Sequence, residues 1–232
     1  RDFADTDDNE NWTLKEFKAS ETKLIDEEEL KDAKNAMGEN KYEQEFEISF
    51  EAPIVGAFYG ELLKELTDKN RIREIIPEAA TQKVTAWDLG MSDSTAIWVA
   101  EIISGEVRVM DFYEASGESL DHYINWLDEK GYRDYTHIMP HDVNVRELQT
   151  GKSRYQFLTE AGLDIEVAPK SSVEDGIQAV RRILPNCWFN KDKTRAGVEC
   201  LQNYRRVFNE KTSSFQNRPL HDWSSHAADA FR

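Results

Sequence analysis

Polar and apolar positions along the chain fall into a sparse, charged front and a denser remainder. Over 26–37, Asp26-Glu-Glu-Glu-Leu-Lys-Asp-Ala-Lys-Asn-Ala-Met37 places an acceptor side chain ahead of an acidic first turn, and Gly38 follows. That pattern predicts a capped helix with a glycine stop. Phe46, Ile48 and Phe50 alternate with Glu47 and Ser49, which predicts a short strand within 41–50. Gly56 and Gly60 mark a bend, and a short helix is expected over 61–67. From Val84 onward, β-branched and aromatic runs predict strands over 84–88, 96–103 and 107–113, the last two joined by a tight turn at Ser104-Gly105. The period then lengthens. Ser119 stands before Leu120, Tyr123, Ile124 and Leu127, with Gly131 as the stop, so 119–130 reads as a helix. A strand over 135–139 runs into Pro140-His141-Asp142, followed by a helix over 155–161, a strand over 164–168 and a helix over 172–184. The remainder predicts a short edge strand over 187–189, a helix over 199–208, a polar loop over about 210–220, and a last helix opened by Asp222 or Ser224.

Three hairpin-joined strands followed by strand–helix alternation imply an α/β fold with a mixed sheet and helices on its faces. No internal repeat is evident. The first third is too small and too charged to bury its own core, and reads as the tail of another domain plus a linker, with 1–10 acidic and loose. The expected boundary lies between 75 and 76, leaving an acidic N-terminal extension ahead of the main domain.

Charge changes the picture only through its distribution. The formal charge of −16 argues against a nucleic-acid binder, yet residues 1–51 hold seven Lys/Arg against seventeen Asp/Glu, about −10 of that total. Residues 143–218 hold thirteen against nine, a surplus of four positive charges. Bulk acidity therefore does not exclude DNA. Cys187 and Cys200 have no metal-type spacing and read as buried free thiols in a reducing compartment. No apolar run reaches the ~18 residues of a transmembrane helix. The chain starts without Met and stops inside a helical pattern, so it is expected to be a piece of a longer polypeptide. No Gly-x-x-x-x-Gly-Lys phosphate loop occurs in it.

Candidate chemistry centres on Asp88, the carboxylate that ends the strand after Val84-Thr-Ala-Trp87. Such a group is costly to desolvate unless a cation or a phosphate-binding arrangement accounts for it. Asp142 follows the 135–139 strand, which a right-handed crossover would set parallel beside the first. Asp229 sits among Ala227, Ala228, Ala230 and Phe231 on the final helix. Three carboxylates at the carboxyl edge of an α/β sheet repel one another unless divalent cations join them, and oxygen-only sites suit Mg²⁺ or Mn²⁺. Two such ions can activate a water and stabilise a leaving phosphodiester oxygen. Asp93 reads either as a fourth ligand or as a turn residue. His226 reads as a substrate contact or as a hydrogen-bonded structural residue, Asp222 as a helix cap, and His141 as a neighbour of Asp142.

The motifs Ala86-Trp-Asp-Leu-Gly-Met-Ser-Asp-Ser-Thr-Ala96, Met139-Pro-His-Asp142 and Ser225-His-Ala-Ala-Asp-Ala-Phe-Arg232 resemble those of the C-terminal nuclease domain of the tailed-phage terminase large subunit. Residues 168–184 are similar to the same family, and 37–46 resemble the end of its ATPase domain leading into the linker. The resemblance implies a ribonuclease H-like fold and a metal-dependent endonuclease that cuts concatemeric double-stranded DNA during packaging. It places the metal-binding aspartates on Asp88, Asp142 and Asp229. It also implies an ATP-driven motor upstream of Arg1, portal and small-subunit partners, and a site of action in the host bacterial cytoplasm.

Phosphate contacts are expected from the basic residues, first Lys170, which follows the 164–168 strand on the carboxylate edge, then Arg181 and Arg182. Lys152, Arg154, 191–195, Arg205 and Arg206 are further candidates. Trp87, Trp98 and Trp223 are assigned to the core rather than to base stacking. Two other readings stand beside the nuclease. An actin-like or sugar-kinase-like nucleotide-binding fold would use Asp88-Leu-Gly as a phosphate loop, but a second phosphate hairpin and an adenosine motif are not visible. A non-catalytic packaging module would use the acidic front to bind a partner.

Overall fold

The β-branched stretch that begins at 82 becomes the middle of a seven-stranded sheet in the computed structural model, which describes residues 17–22, 24–47, 54–76, 82–90, 93–146, 151–209 and 211–232. The chain divides into two compact units, residues 1–55 and 56–232.

In the first unit three helices follow one another: α1 (Ala19–Thr22), α2 (Glu27–Met37) and α3 (Glu39–Phe46). Asp26 caps α2 by accepting from the Glu28 N–H at 2.8 Å, and Gly38, at φ +84°, returns its N–H to the Lys34 carbonyl. The strand expected within 41–50 is not formed over its first half, because 39–46 is helical. Tyr42 and Phe46, four residues apart, stack with ring centroids at 5.2 Å, so the apolar pair is used at helical spacing instead of alternating. Ile48 and Phe50 of that expected strand, like residues 1–10, lie outside the described residues.

The second unit opens with α4 (Gly60–Asp68) and β1 (Ile72–Arg73), then β2 (Gln82–Asp88), β3 (Ser94–Ile103) and β4 (Glu106–Ser116). There follow α5 (Leu120–Lys130), β5 (Thr136–Met139), a 3₁₀ turn over His141–Asn144, α6 (Arg154–Glu160), β6 (Asp164–Val167), α7 (Val173–Ile183) and β7 (Cys187–Asn190). The last elements are α8 (Arg195–Asn203), β8 (Arg206–Asn209), β9 (Ser214–Pro219) and α9 (Ser225–Phe231). The sheet order is β1-β7-β4-β3-β2-β5-β6. β3 is antiparallel to β2 and β4, and every other pairing in this sheet is parallel. Six strands therefore end on one edge, where α/β sheets gather reactive groups. The expected mixed sheet is present, and β5 lies parallel beside β2, with Thr85 level with His137.

Alternation along the strands sends side chains to two cores. Trp87, Ile97, Val99 and Met110 face α5 and α6, burying Tyr123, Leu127 and Leu158. Ala96, Trp98, Val109 and Phe189 face the other way, where α4, α7, α8 and α9 contribute Leu63, Ile177, Leu201 and Ala228. Gly197 of α8 is what lets that helix approach, since a Cβ there would stand 2.3 Å from the Trp98 ring. Both thiols are buried and uncharged; burial pushes Cys187 and Cys200 up to about 12.

Four expectations change near the end of the chain. The 187–189 strand is not an edge, because β1 pairs outside it. The helix expected over 199–208 stops at Asn203, and 206–209 pairs with 214–219 as a hairpin where a polar loop was expected. The alternation that makes the hairpin is carried by polar residues with Phe208 against Phe215 at 5.0 Å, so apolar period alone did not mark it. Trp223 is 56% exposed and not in the core. Among the described residues no helix is long and apolar enough to cross a membrane.

A hydrogen-bond chain fixes β2 to β5 beneath the carboxylate edge. The Trp87 indole N–H donates to the Thr85 hydroxyl at 2.7 Å, that hydroxyl donates to His137 Nδ1 at 2.7 Å, and His137 Nε2–H donates to the Arg133 carbonyl at 3.1 Å. Burial lowers the His137 pKa below its ordinary value. The unfolded chain therefore takes up this proton first as pH falls, so stability is retained above about 6.5 and declines as pH falls from there through the folded-state pKa. Urea midpoints measured from pH 7.5 downward are expected to fall more steeply in the parent than in His137→Asn, by up to roughly one proton's worth of slope. Parallel slopes would show that His137 is not held neutral.

Candidate active site

Asp88 is the last residue of β2, and the chain turns sharply beyond it. Gly90 has no room for a side chain, because a Cβ would lie 2.5 Å from the Ser94 carbonyl oxygen and 2.6 Å from that of Asp93. The glycine is thus required by the close return of the backbone into β3. Asp142 reaches the same edge from the neighbouring strand. Ala86 is level with Ile138, so continuing the parallel register sets Asp88 beside Pro140, two residues short of Asp142. Val143, fully buried, anchors the 3₁₀ turn that carries Asp142, whose own side chain is exposed.

Asp229 comes from α9, which lies against β2 and β3. Ala227, Ala228 and Ala230 are small enough to bring this helix down on the sheet, and the Trp98 indole N–H donates to the Ala227 carbonyl at 2.7 Å. One turn earlier on α9, His226 Nδ1 meets Asp88 Oδ2 at 3.2 Å. Asp229 Oδ1 accepts from Arg232 Nε at 2.9 Å and from the Tyr204 hydroxyl at 3.4 Å.

Charge ties the three carboxylates together. Burial raises the Asp88 pKa, the His226 hydrogen bond opposes that rise, and the negative charges of Asp229 and Asp142 add to it. Asp88 thus contacts His226 and lies within electrostatic range of Asp142 and Asp229. Asp222 acts just ahead of the last helix: its Oδ1 accepts from the Ser224 N–H at 3.0 Å and the Ser224 hydroxyl at 2.6 Å, while Ser224 holds the N-cap position. Asp93 is exposed in the turn after β2, and His141 is exposed at the start of the 3₁₀ turn. Lys170 is exposed three residues beyond β6, on the same sheet edge as the carboxylates. Arg181 and Arg182 are exposed on α7; Arg182 Nε donates to the Gln178 carbonyl, and the charge of Arg181 acts on Tyr59.

Some neighbours of the site were not singled out from sequence. Arg232 was within reach of sequence reasoning, as the i+3 neighbour of Asp229 on a helix. Tyr204, twenty-five residues from Asp229, carried no local signal. Arg154 was one basic residue among many, yet its Nη1 donates to the Leu89 carbonyl at 3.4 Å, one residue past Asp88. A cavity of about 360 Å³ opens beside it, lined by Leu89, Gly90, Ser119, Lys152 and Arg154 among others, and none of the three carboxylates lines it.

Among the described residues no three His, Cys, Asp or Glu side chains are close enough together to hold an ion as they stand. Asp88 is turned to His226 and Asp229 to Arg232, each finding a positive or donating partner within the protein. The donor set nonetheless suits a hard divalent cation, since Asp142 and Asp229 both repel an ionised Asp88 and such a cation would relieve that repulsion.

No family model matches the chain, and no curated protein matches it. Solved structures do. The large terminase of one thermophilic bacteriophage, in complex with ATP-gamma-S, aligns at 15% identity and a TM-score of 0.59 over 92% of this chain and 53% of its own. The chain therefore spans about half the length of that protein. The nuclease domain of the bacteriophage SPP1 large terminase, with bound Mn, aligns at 16% identity and 0.51 over 68% of this chain and 92% of that one. The large terminase nuclease of another thermophilic phage, G20c, with bound magnesium, aligns at 13% and 0.51 over 77% and 98%. The chain has the fold of the large-terminase nuclease domain, a ribonuclease H-like mixed sheet flanked by helices.

Proposed function

We propose that this chain is a divalent-metal-dependent endonuclease that cuts concatemeric double-stranded DNA during viral genome packaging. The observation that carries the reading is that Asp88 at the end of β2 feels the negative charges of both Asp142, after β5, and Asp229, on α9, beside its contact with His226. Nuclease domains with the same fold have been solved with Mn and with magnesium bound, which supports Mg²⁺ or Mn²⁺ as the cofactor; two ions is the number proposed, on the chemistry of paired ions at a phosphodiester.

Asp88, Asp142 and Asp229 would hold the metal, whose role when bound is to acidify a water and stabilise the leaving oxygen of the phosphodiester. The protein's own part is orientation. His226 fixes the rotamer of Asp88 through one oxygen and leaves the other available. Arg232 and Tyr204 both engage Oδ1 of Asp229, which leaves the second oxygen for a ligand. Asp142, on an exposed turn anchored by Val143, is the carboxylate with the most room to adjust to a polymer backbone. The nucleotide-binding alternative asks for a second phosphate hairpin, which the sequence lacks, whereas the Gly90 turn is accounted for by backbone proximity alone.

In the longer protein an ATP-using motor segment would precede Arg1, portal and small-subunit proteins would be the partners, and the host bacterial cytoplasm the site of action. Asp93 and His141 are left as residues able to adjust the metal environment, and Lys170, Arg181 and Arg182 as phosphate contacts. Supercoiled plasmid is the test. The chain should nick or linearise it with Mg²⁺ or Mn²⁺, stop when EDTA is added, and bind less tightly as salt rises. Cutting that persists undiminished in excess EDTA would overturn the metal-dependent reading.

A further inference from the structure

One large aromatic side chain just ahead of α9, the helix that carries Asp229, is left in solvent. Trp87, Trp98 and Trp126 are buried, whereas Trp223 is 56% exposed. Leaving an indole in water forgoes hydrophobic stabilisation, so its place asks for a reason. The segment holding it is firmly built. Besides the two bonds from Ser224 to Asp222, Ser225 Oγ accepts from the Asp222 N–H at 3.0 Å and donates to the Leu220 carbonyl at 3.3 Å. Ser224 and Ser225 are both buried. The backbone of Trp223 is therefore fixed while its ring stays outside. It stands three residues before His226, the partner of Asp88.

The surroundings say what would cover the ring. Residues 205–218 hold Arg205, Arg206, Lys211 and Arg218 against Glu210 alone, a cationic stretch in an acidic chain. Most of it is the β8–β9 ribbon, joined to the Trp223 segment where the Leu220 N–H donates to the Arg205 carbonyl at 2.8 Å. An exposed aromatic that stands in the chain between a cationic ribbon and the helix carrying Asp229 matches the chemistry of a nucleic-acid strand, whose phosphates take the charge while a base or sugar face takes the ring.

We propose that Trp223 is a stacking residue for the DNA substrate, its indole covering a base or deoxyribose of the strand being cut. The inference rests on the nuclease reading above. The contact is sequence-tolerant, because every nucleoside offers such a face. It positions the strand and takes no part in bond cleavage.

The test uses the whole 232-residue chain with a short DNA duplex in EDTA for binding and in Mg²⁺ for cutting. The duplex is expected to quench a component of tryptophan emission that is missing in Trp223→Phe. Trp223→Ala is expected to weaken binding and raise KM about tenfold, the scale of one stacking contact, with kcat little changed, while Trp223→Phe keeps most of the affinity. Equal quenching in the parent and Trp223→Phe, or unaltered binding by Trp223→Ala, would overturn the stacking role and leave the nuclease intact. A parent chain that neither binds nor cuts the duplex would overturn both. Capture of a protein partner by Trp223 with no effect on DNA would likewise count against the proposal.

Discussion

Asp88→Ala is expected to fold like the parent and to lose nuclease activity by roughly a hundredfold or more, the scale on which enzymes lose rate when a preorganised electrostatic group is removed. Stability should hold or rise slightly. In the parent, burial and two neighbouring negative charges act against an ionised Asp88, with His226 as the compensating donor. Removing the carboxylate removes a crowded charge, so the group is kept at a cost to stability that function requires. Asp142→Ala should lose activity similarly with no stability change, since its side chain is exposed. Asp229→Ala differs, because it leaves the half-buried Arg232 guanidinium without its acceptor. A stability loss of about 1–2 kcal/mol is expected beside the loss of cutting. Plasmid nicking paired with thermal melting checks all three. Undiminished cutting by Asp229→Ala would sink the three-carboxylate site.

The largest effect on stability is expected at Trp98. Its ring is 2% exposed, lies at 4.5 Å from Phe112 and 5.1 Å from Phe231 by centroid, and fills the space above Gly197. Trp98→Ala should cost about 3–5 kcal/mol, as truncating a buried aromatic leaves a cavity and loses its transfer free energy. It also removes the indole N–H bonded to the Ala227 carbonyl, the bond that fixes α9 between His226 and Asp229. The variant should therefore lose activity out of proportion to its folded fraction. Trp98→Phe restores most of the apolar contact without the hydrogen bond and should fall between. Urea unfolding followed by assay in native conditions separates the two effects. A loss under about 1 kcal/mol would mean that Trp98 does not anchor α9.

Much of this was legible in the sequence where local pattern and tertiary role agree. β2, β3 and β4 are strong β-branched runs joined by tight turns, and α5 and α7 have a serine at the N-cap position and clear apolar stripes, so their existence and order could be read directly. The parallel placement of β5 beside β2 followed from handedness. Three carboxylates could be named because each stands where an α/β topology exposes side chains. What failed depended on partners distant in sequence. The 39–46 helix uses Tyr42 and Phe46 as a pair, which a two-residue alternation over Phe46, Ile48 and Phe50 concealed. The β8–β9 hairpin has few apolar residues to announce it. β1 is two residues long and exists only because β7 pairs with it. Trp223 was assigned inward by residue type, and the Asp222–Ser224–Ser225 bonding that holds its backbone with the ring exposed has no apolar signature.

Diffraction from crystals of the chain soaked in Mn²⁺, recorded at the manganese edge, tests the central claim most directly. Anomalous density bounded by the carboxylates of Asp88, Asp142 and Asp229, and absent from crystals of Asp88→Ala treated alike, is the predicted result. Manganese bound only elsewhere on the chain, or at the same place with Asp88 removed, would contradict it.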